Sequence, residues 1–151
     1  MPMADDTRLS REELETWRAF LEAHARVTAA LDRQFTASGC ELDLREYDLL
    51  VHLEEAGPDG LRLRDLANRA LINPSNVTRR LEGLTARSLV ERIKDPGDAR
   101  GIVATLTPAG RRALRRAAAV HLPGVKALVY RDRLTDLTAV RCFLEQIARE
   151  S

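Results

Sequence analysis

Two dipeptides, Asn73-Pro74 and Thr107-Pro108, constrain this chain more than any other feature. In each, a short side chain able to accept a backbone hydrogen bond precedes a proline. Proline has no amide to lose at the first helical position, and its φ is already set for a helix. Both steps therefore mark helix starts, and the stretch between them holds one helix and then something else. Val77, Leu81 and Leu84 recur at helical spacing over 74–87. The pattern then changes. Val-Glu-Arg-Ile-Lys at 90–94 and Ile-Val-Ala-Thr-Leu at 102–106 read as strands, separated by Asp95-Pro96-Gly97-Asp98-Ala99-Arg100-Gly101. So rich a run of turn formers predicts a hairpin with a long tip.

The flanks are helical. Ser10 and Glu13 fit a capping box, and Leu14, Trp17, Phe20, Leu21, Val27, Leu31 and Phe35 follow at a helical period up to Gly39. That is some 28 residues, or roughly 40 Å of helix, which needs something to pack against. Asp43 and Glu46 repeat the cap logic before a helix over Leu44–Ala56, which Gly57-Pro58-Asp59-Gly60 breaks. A short helix is expected over Leu63–Ala70. After the hairpin, a helix over 108–120 is expected to continue past a kink at Pro123-Gly124. A last one covers 134–149, capped near Thr135 or Asp136. The expected fold is mainly α with a small β-hairpin wing: a winged helix-turn-helix lobe over 43–107 flanked by helices over 10–38 and 108–150, all in one domain.

Charge is distributed unevenly. The 24 basic and 23 acidic residues sum to +1. Residues 1–61 carry 6 basic and 14 acidic side chains, and 62–116 carry 13 basic and 5 acidic. The second block is thus +8 within 55 residues, the electrostatic footprint of a nucleic-acid partner. With Val77, Leu81 and Leu84 turned inward, Ser75, Asn76 and Arg79 point outward, flanked by Thr78 and Arg80. Short donors and acceptors beside cationic forks suit base edges and phosphates in a major groove. The helix N-terminus adds free amides for phosphate. Lys94 and Arg100 sit at the hairpin tip, where a narrow hairpin reaches a minor groove, and Asp98 is placed to hold the Arg100 guanidinium. An ordinary solvated turn is the alternative for the tip.

Leu63-Arg64-Asp65-Leu66-Ala67, Asn73-Pro74-Ser75-Asn76-Val77-Thr78-Arg79, Leu89-Val90-Glu91-Arg92, Asp98-Ala99-Arg100 and Leu106-Thr107-Pro108-Ala109-Gly110 together resemble the MarR family of regulators over about residues 47–114. Each piece is weak alone, whereas their joint order and spacing are specific. The resemblance implies a homodimer interlocked through the first and the last two helices. It also implies a transcriptional repressor acting on a pseudo-palindromic double-stranded operator and relieved by a small molecule. Carried over by position, Ser75, Asn76, Thr78 and Arg79 read the major groove, Arg100 is the wing arginine and Asp98 its partner. Two positions depart from the pattern. Arg62 stands where many relatives place a capping Ser or Thr, and is expected to contact phosphate instead. Ala99 stands where the wing usually has Arg, so one cation is missing.

Trp17 and His24 share a face of the first helix at seven-residue spacing. They are candidates for an effector pocket taking an aromatic or phenolic acid, or else they anchor the dimer. A cysteine redox regulator is a second reading, although Cys40 beside Glu41 and Cys142 in an apolar stripe lack the cationic setting of a reactive thiol. His24, His52, His121, Cys40 and Glu41 form no close metal-ligand motif. No nucleophile motif, phosphate loop or carboxylate pair suggests an enzyme, and no cofactor is expected. With no long apolar run and a polar start, a cytoplasmic protein away from membranes is expected. A winged-helix docking module without DNA is the rival to the DNA reading.

Overall fold

A computed structural model of the chain describes residues 8–95, 97–131 and 136–150, with the backbone alone of Ala99, Arg100 and Glu150. The first helix, α1 (Arg11–Ser38), starts in the expected capping box. Glu13 N donates to Ser10 Oγ at 3.1 Å and Ser10 N to Glu13 Oε2 at 2.6 Å, and the helix ends at Gly39 with φ 66°. Asp43 and Glu46 form the same reciprocal pair at the head of α2 (Leu44–Ala56). After one tight turn over Gly57–Asp59 come β1 (Leu61–Arg62), α3 (Leu63–Ala70) and α4 (Pro74–Ala86). The hairpin is β2 (Val90–Asp95) and β3 (Asp98–Leu106), followed by α5 (Pro108–Val125) and α6 (Leu137–Glu150).

The hydrophobic centre lies around α2. Leu49, Leu50 and Leu53 are fully buried there. They meet Phe35 from α1, Leu66 from α3, Val77, Leu81 and Leu84 from α4, and Ala113 and Ala117 from α5. Burying each leucine contributes about 1.5–3 kcal/mol. The core therefore sets the orientation of α4 through its three inward residues and leaves the opposite face to solvent. Thr107 fastens the sheet to α5. Its Oγ1 lies 2.8 Å from Ser88 O and 3.0 Å from Leu89 O, and it accepts from Gly110 N at 2.9 Å, capping the helix. Gly124 lets α5 lie against α1. A Cβ there would strike Gln34 Oε1 and come within 3.0 Å of Leu31 Cδ2.

The sheet differs from the sequence expectation in two ways. It has three strands in the order β1-β3-β2, because Leu61 and Arg62 pair antiparallel with Ala104 and Val103. Two residues between a turn and a helix carry no alternation to read. The tip is also shorter than seven residues. Asp95 pairs with Asp98, leaving Pro96, which lies outside the described residues, and Gly97 between them. The irregularity falls instead on β3. Lys94 faces Ile102 and the next residue, Asp95, faces Asp98, so residues 99–101 bulge from the ladder.

The structure also sets the ends of the last two helices. Helix α5 continues past residue 120, as expected, and runs through Pro123 to Val125 as one helix, with a π turn over Lys126–Tyr130 following. The last helix begins at Leu137, where Ala139 N donates to Asp136 Oδ1 at 2.9 Å. Asp136 is thus its cap, and Thr135 lies outside the described residues.

Candidate nucleic-acid interface

Helix α4 begins at Asn73, whose Oδ1 accepts from Ser75 N at 3.0 Å and from Ser75 Oγ at 2.8 Å. The Ser75 hydroxyl thus donates to Asn73 and keeps its acceptor capacity on an exposed surface. Thr78 Oγ1 donates to Pro74 O at 3.1 Å, so Thr78 presents its methyl group and acceptor side. Asn76 and Arg79 are exposed, and neither side chain has a hydrogen-bond or ion-pair partner among the described residues. One face thus carries acceptors, an amide that both donates and accepts, and an uncommitted guanidinium. That is the set needed to read base edges.

Two arginines expected on DNA are engaged within the chain. Arg80 Nη1 donates to Asp43 Oδ2 at 2.7 Å, which turns Arg80 toward the head of α2. Arg62 occupies the cap position of α3 without capping it, and its Nε lies 2.5 Å from Asp95 Oδ2 at the wing. Lys94 and Asp98 are exposed on the two wing strands. Arg100 belongs to the β3 bulge, and its side chain lies outside the described residues, as does any pairing with Asp98. Arg62, Leu63, Arg64, Asp98, Gly101 and Ile102 line an open recess of about 310 Å³ between α3 and the wing.

The basic block is partly neutralised by the acidic segment before it. Besides Arg80 with Asp43, Arg87 pairs with Glu46 at 2.5 Å, Arg111 with Glu54 at 2.8 Å, and Arg116 with Glu41. Arg87 Nη1 also donates to Glu41 O at 2.7 Å. Burial pushes the Asp43 carboxyl up, but the bonds it accepts from Glu46 N and from Arg80 outweigh this and hold it below the usual carboxylate range. Among the described residues Arg64, Arg69, Arg79, Arg92 and Lys94 of α3, α4 and the wing form no ion pair, so their charge is available to a partner, as is that of Arg112 and Arg115 on α5. The sequence marks Asp43 and Glu46 as helix caps, not as arginine partners, and assigns Asp95 and Arg64 no site role. Partners 37 to 46 residues apart leave no local spacing to find them by.

Residues 41–101, which span this interface, match the model of the MarR family. Over nearly the whole chain the fold is similar to AbsC, a MarR family transcriptional regulator from Streptomyces coelicolor. That match has 30% identity and a TM-score of 0.84, and covers 95% of this chain and 96% of the other. It is also similar to Sco3205, a MarR family transcriptional regulator from the same organism solved in complex with DNA. There the identity is 34% and the TM-score 0.80, with coverage of 94% and 87%. This chain belongs to the MarR family. A third structural neighbour is CouR from Rhodococcus jostii RHA1, solved bound to p-coumaroyl-CoA. It is 26% identical with a TM-score of 0.73, covering 86% of this chain and 89% of that one. The protein is accordingly a MarR-family transcriptional regulator with a winged-helix DNA-binding fold.

Away from the MarR DNA-binding lobe, Trp17 is half exposed and stacks on Phe20, with ring centroids 5.9 Å apart. Both line an open cleft of about 540 Å³ with Thr16, Phe143 and Ile147. His24 is exposed and does not line this cleft, so the structure does not bring the two expected pocket residues together. Cys40 is partly buried against the core and Cys142 is exposed on α6, both as free thiols. Among the described residues no group of three His, Cys, Asp or Glu could hold a metal ion. No described helix is long and apolar enough to cross a membrane.

Proposed function

We propose that the protein is a dimeric repressor whose two winged lobes bind a pseudo-palindromic operator. In each lobe α4 enters the major groove with Ser75, Asn76, Thr78 and Arg79 toward the bases, while Lys94 and Arg100 on the wing approach the adjacent minor groove. The observation that carries this reading is the division of α4. Val77, Leu81 and Leu84 are fully buried, while Asn76 and Arg79 are exposed without partners among the described residues. Half-sites about one helical turn apart, some 34–36 Å, fit two such helices related by a two-fold axis.

The dimer is supported by apolar surface that one chain leaves uncovered. Trp17, Phe20 and Leu21 on α1 and Val140, Phe143, Leu144 and Ile147 on α6 are all exposed. Soluble monomers rarely expose so many large apolar side chains along adjoining helices. Sedimentation at micromolar concentration should give twice the 16.9 kDa chain mass. A well-folded monomer there refutes the dimer.

A small aromatic or phenolic acid is the proposed effector, with Trp17 and Phe20 as its platform. The p-coumaroyl-CoA bound to CouR carries a phenolic acyl group, which supports the aromatic part of that chemistry. Such a ligand acts by favouring a lobe spacing unsuited to DNA. Footprinting on the duplex upstream of the protein's own coding sequence should show two protected half-sites, released by the effector. A single protected half-site overturns the dimeric arrangement. A footprint indifferent to a panel of aromatic acids overturns the effector.

A further inference from the structure

Arg62 replaces a helix cap with a long cation, and its partner shows what the replacement does. It lies on β1, the short edge strand, opposite Val103 of β3. Asp95 lies at the end of β2, on the other side of β3. The 2.5 Å contact between Arg62 Nε and Asp95 Oδ2 therefore crosses over the middle strand and clasps both edges of the sheet. Asp95 is only 8% exposed at its side chain, while Arg62 is 47% exposed. Oδ2 is buried with no donor aligned on it for a hydrogen bond, so Arg62 meets its charge through the ion-pair contact. Asp95 Oδ1 accepts from Gly97 N at 2.8 Å, closing the tip.

Asp95 is also packed on the bulge. A Cβ on Gly101 would come within 2.8 Å of Asp95 Cβ and 3.1 Å of its Oδ2, so Gly101, the residue after Arg100, packs directly on Asp95. We infer that Arg62 is a positioning residue for the wing, acting through Asp95 to hold the bulge bearing Arg100 at a fixed place relative to α3 and α4. This rests on the DNA-binding reading above and specifies how the wing arginine is aimed. It replaces the expectation that Arg62 itself grips a phosphate.

The two roles predict opposite signs for one substitution. If Arg62 gripped phosphate, Asp95→Asn would remove a nearby negative charge, free Arg62 and tighten DNA binding. If Arg62 positions the wing, Asp95→Asn loosens it and weakens binding. The duplex upstream of the protein's own coding sequence is the probe. Asp95→Asn and Arg62→Ala are each expected to bind about tenfold more weakly, a loss of about 1.4 kcal/mol. The double variant should be no weaker than either single one, since both break the same link. In an Arg100→Ala background, Arg62→Ala should change little, and Arg62→Lys should recover part of the loss in the wild-type background.

Unchanged or tighter binding by Asp95→Asn overturns the inference. So does an equal cost of Arg62→Ala with and without Arg100. A second arm needs no DNA. Amide hydrogen exchange at residues 97–102 should accelerate about tenfold or more in both single variants, while amides of α4 keep their protection. Unchanged wing exchange overturns the inference even if the wild-type protein ignores the duplex, a result that by itself would instead sink the DNA-binding reading.

Discussion

Arg80 Nη1 donates to Asp43 Oδ2 at 2.7 Å, and the other oxygen of the same carboxylate accepts the Glu46 amide that heads α2. One carboxylate thus caps α2 and holds α4 against it. Arg79, one residue earlier, has no such partner among the described residues. Adjacent arginines should therefore separate in their effects. Arg80→Ala is expected to lower stability by about 1 kcal/mol, a figure kept small because Asp43 is half exposed. Arg79→Ala is expected to leave stability within about 0.5 kcal/mol. Urea denaturation of the two variants compares them directly, and a larger loss for Arg79→Ala contradicts the assignment.

Leu71 ends α3 with φ 53°, a left-handed conformation that is costly for a leucine, and its side chain is 90% exposed. Nothing buried offsets the strain at this turn between α3 and α4. Leu71→Asn, which tolerates that region, is expected to raise stability by about 0.5–1 kcal/mol. A thermal melt that falls instead would show that the leucine makes contacts the single chain does not reveal.

His121 on α5 lies against Tyr47 of α2, ring centroids 4.6 Å apart, and Phe35 of α1, 6.0 Å apart. Its Nδ1 is buried without a hydrogen-bond partner. Burial pushes its pKa below the ordinary 6.5, and the Asp48 carboxylate opposes this only in part. The unfolded chain therefore takes up this proton at a higher pH than the folded one. Stability from this site is complete above about pH 6.5 and falls as pH drops toward the lowered folded value. Chemical denaturation at pH 7.5 and pH 5.5 should show that loss, and His121→Phe should reduce it. An equal loss in the variant would place the titration elsewhere.

The parts legible in the sequence are those fixed by local chemistry. Ser10 with Glu13 and Asp43 with Glu46 announced two helix starts, and Asn73-Pro74 and Thr107-Pro108 two more, because a cap is satisfied within three residues. The inward face of α4 followed from a period the core enforces on Val77, Leu81 and Leu84. What escaped was non-local. Strand β1 exists only because β3 lies beside it, and the β3 bulge depends on a register set by two strands together. Arg80 looked like a DNA contact from its place beside the outward face of α4, and Arg62 from its place at a helix cap. Neither position announces an ion pair with Asp43, 37 residues from Arg80, or with Asp95. Charge counted along the chain cannot tell an arginine that holds the lobe together from one that faces outward. His24 and Trp17 shared a helical face, yet Trp17 lines a cleft with Phe143 and Ile147 of α6 and His24 does not.

The most direct test of the central claim is a fluorescence anisotropy titration. The duplex upstream of the protein's own coding sequence is titrated with wild-type protein and with Arg79→Ala, at low and at raised salt. The wild type should bind at low salt and weaken steeply as salt rises, since arginine–phosphate contacts release counterions. Arg79→Ala should bind roughly 10- to 100-fold more weakly. No binding by the wild type at low salt, or equal affinity of the variant, contradicts the assignment of α4 as the reading helix.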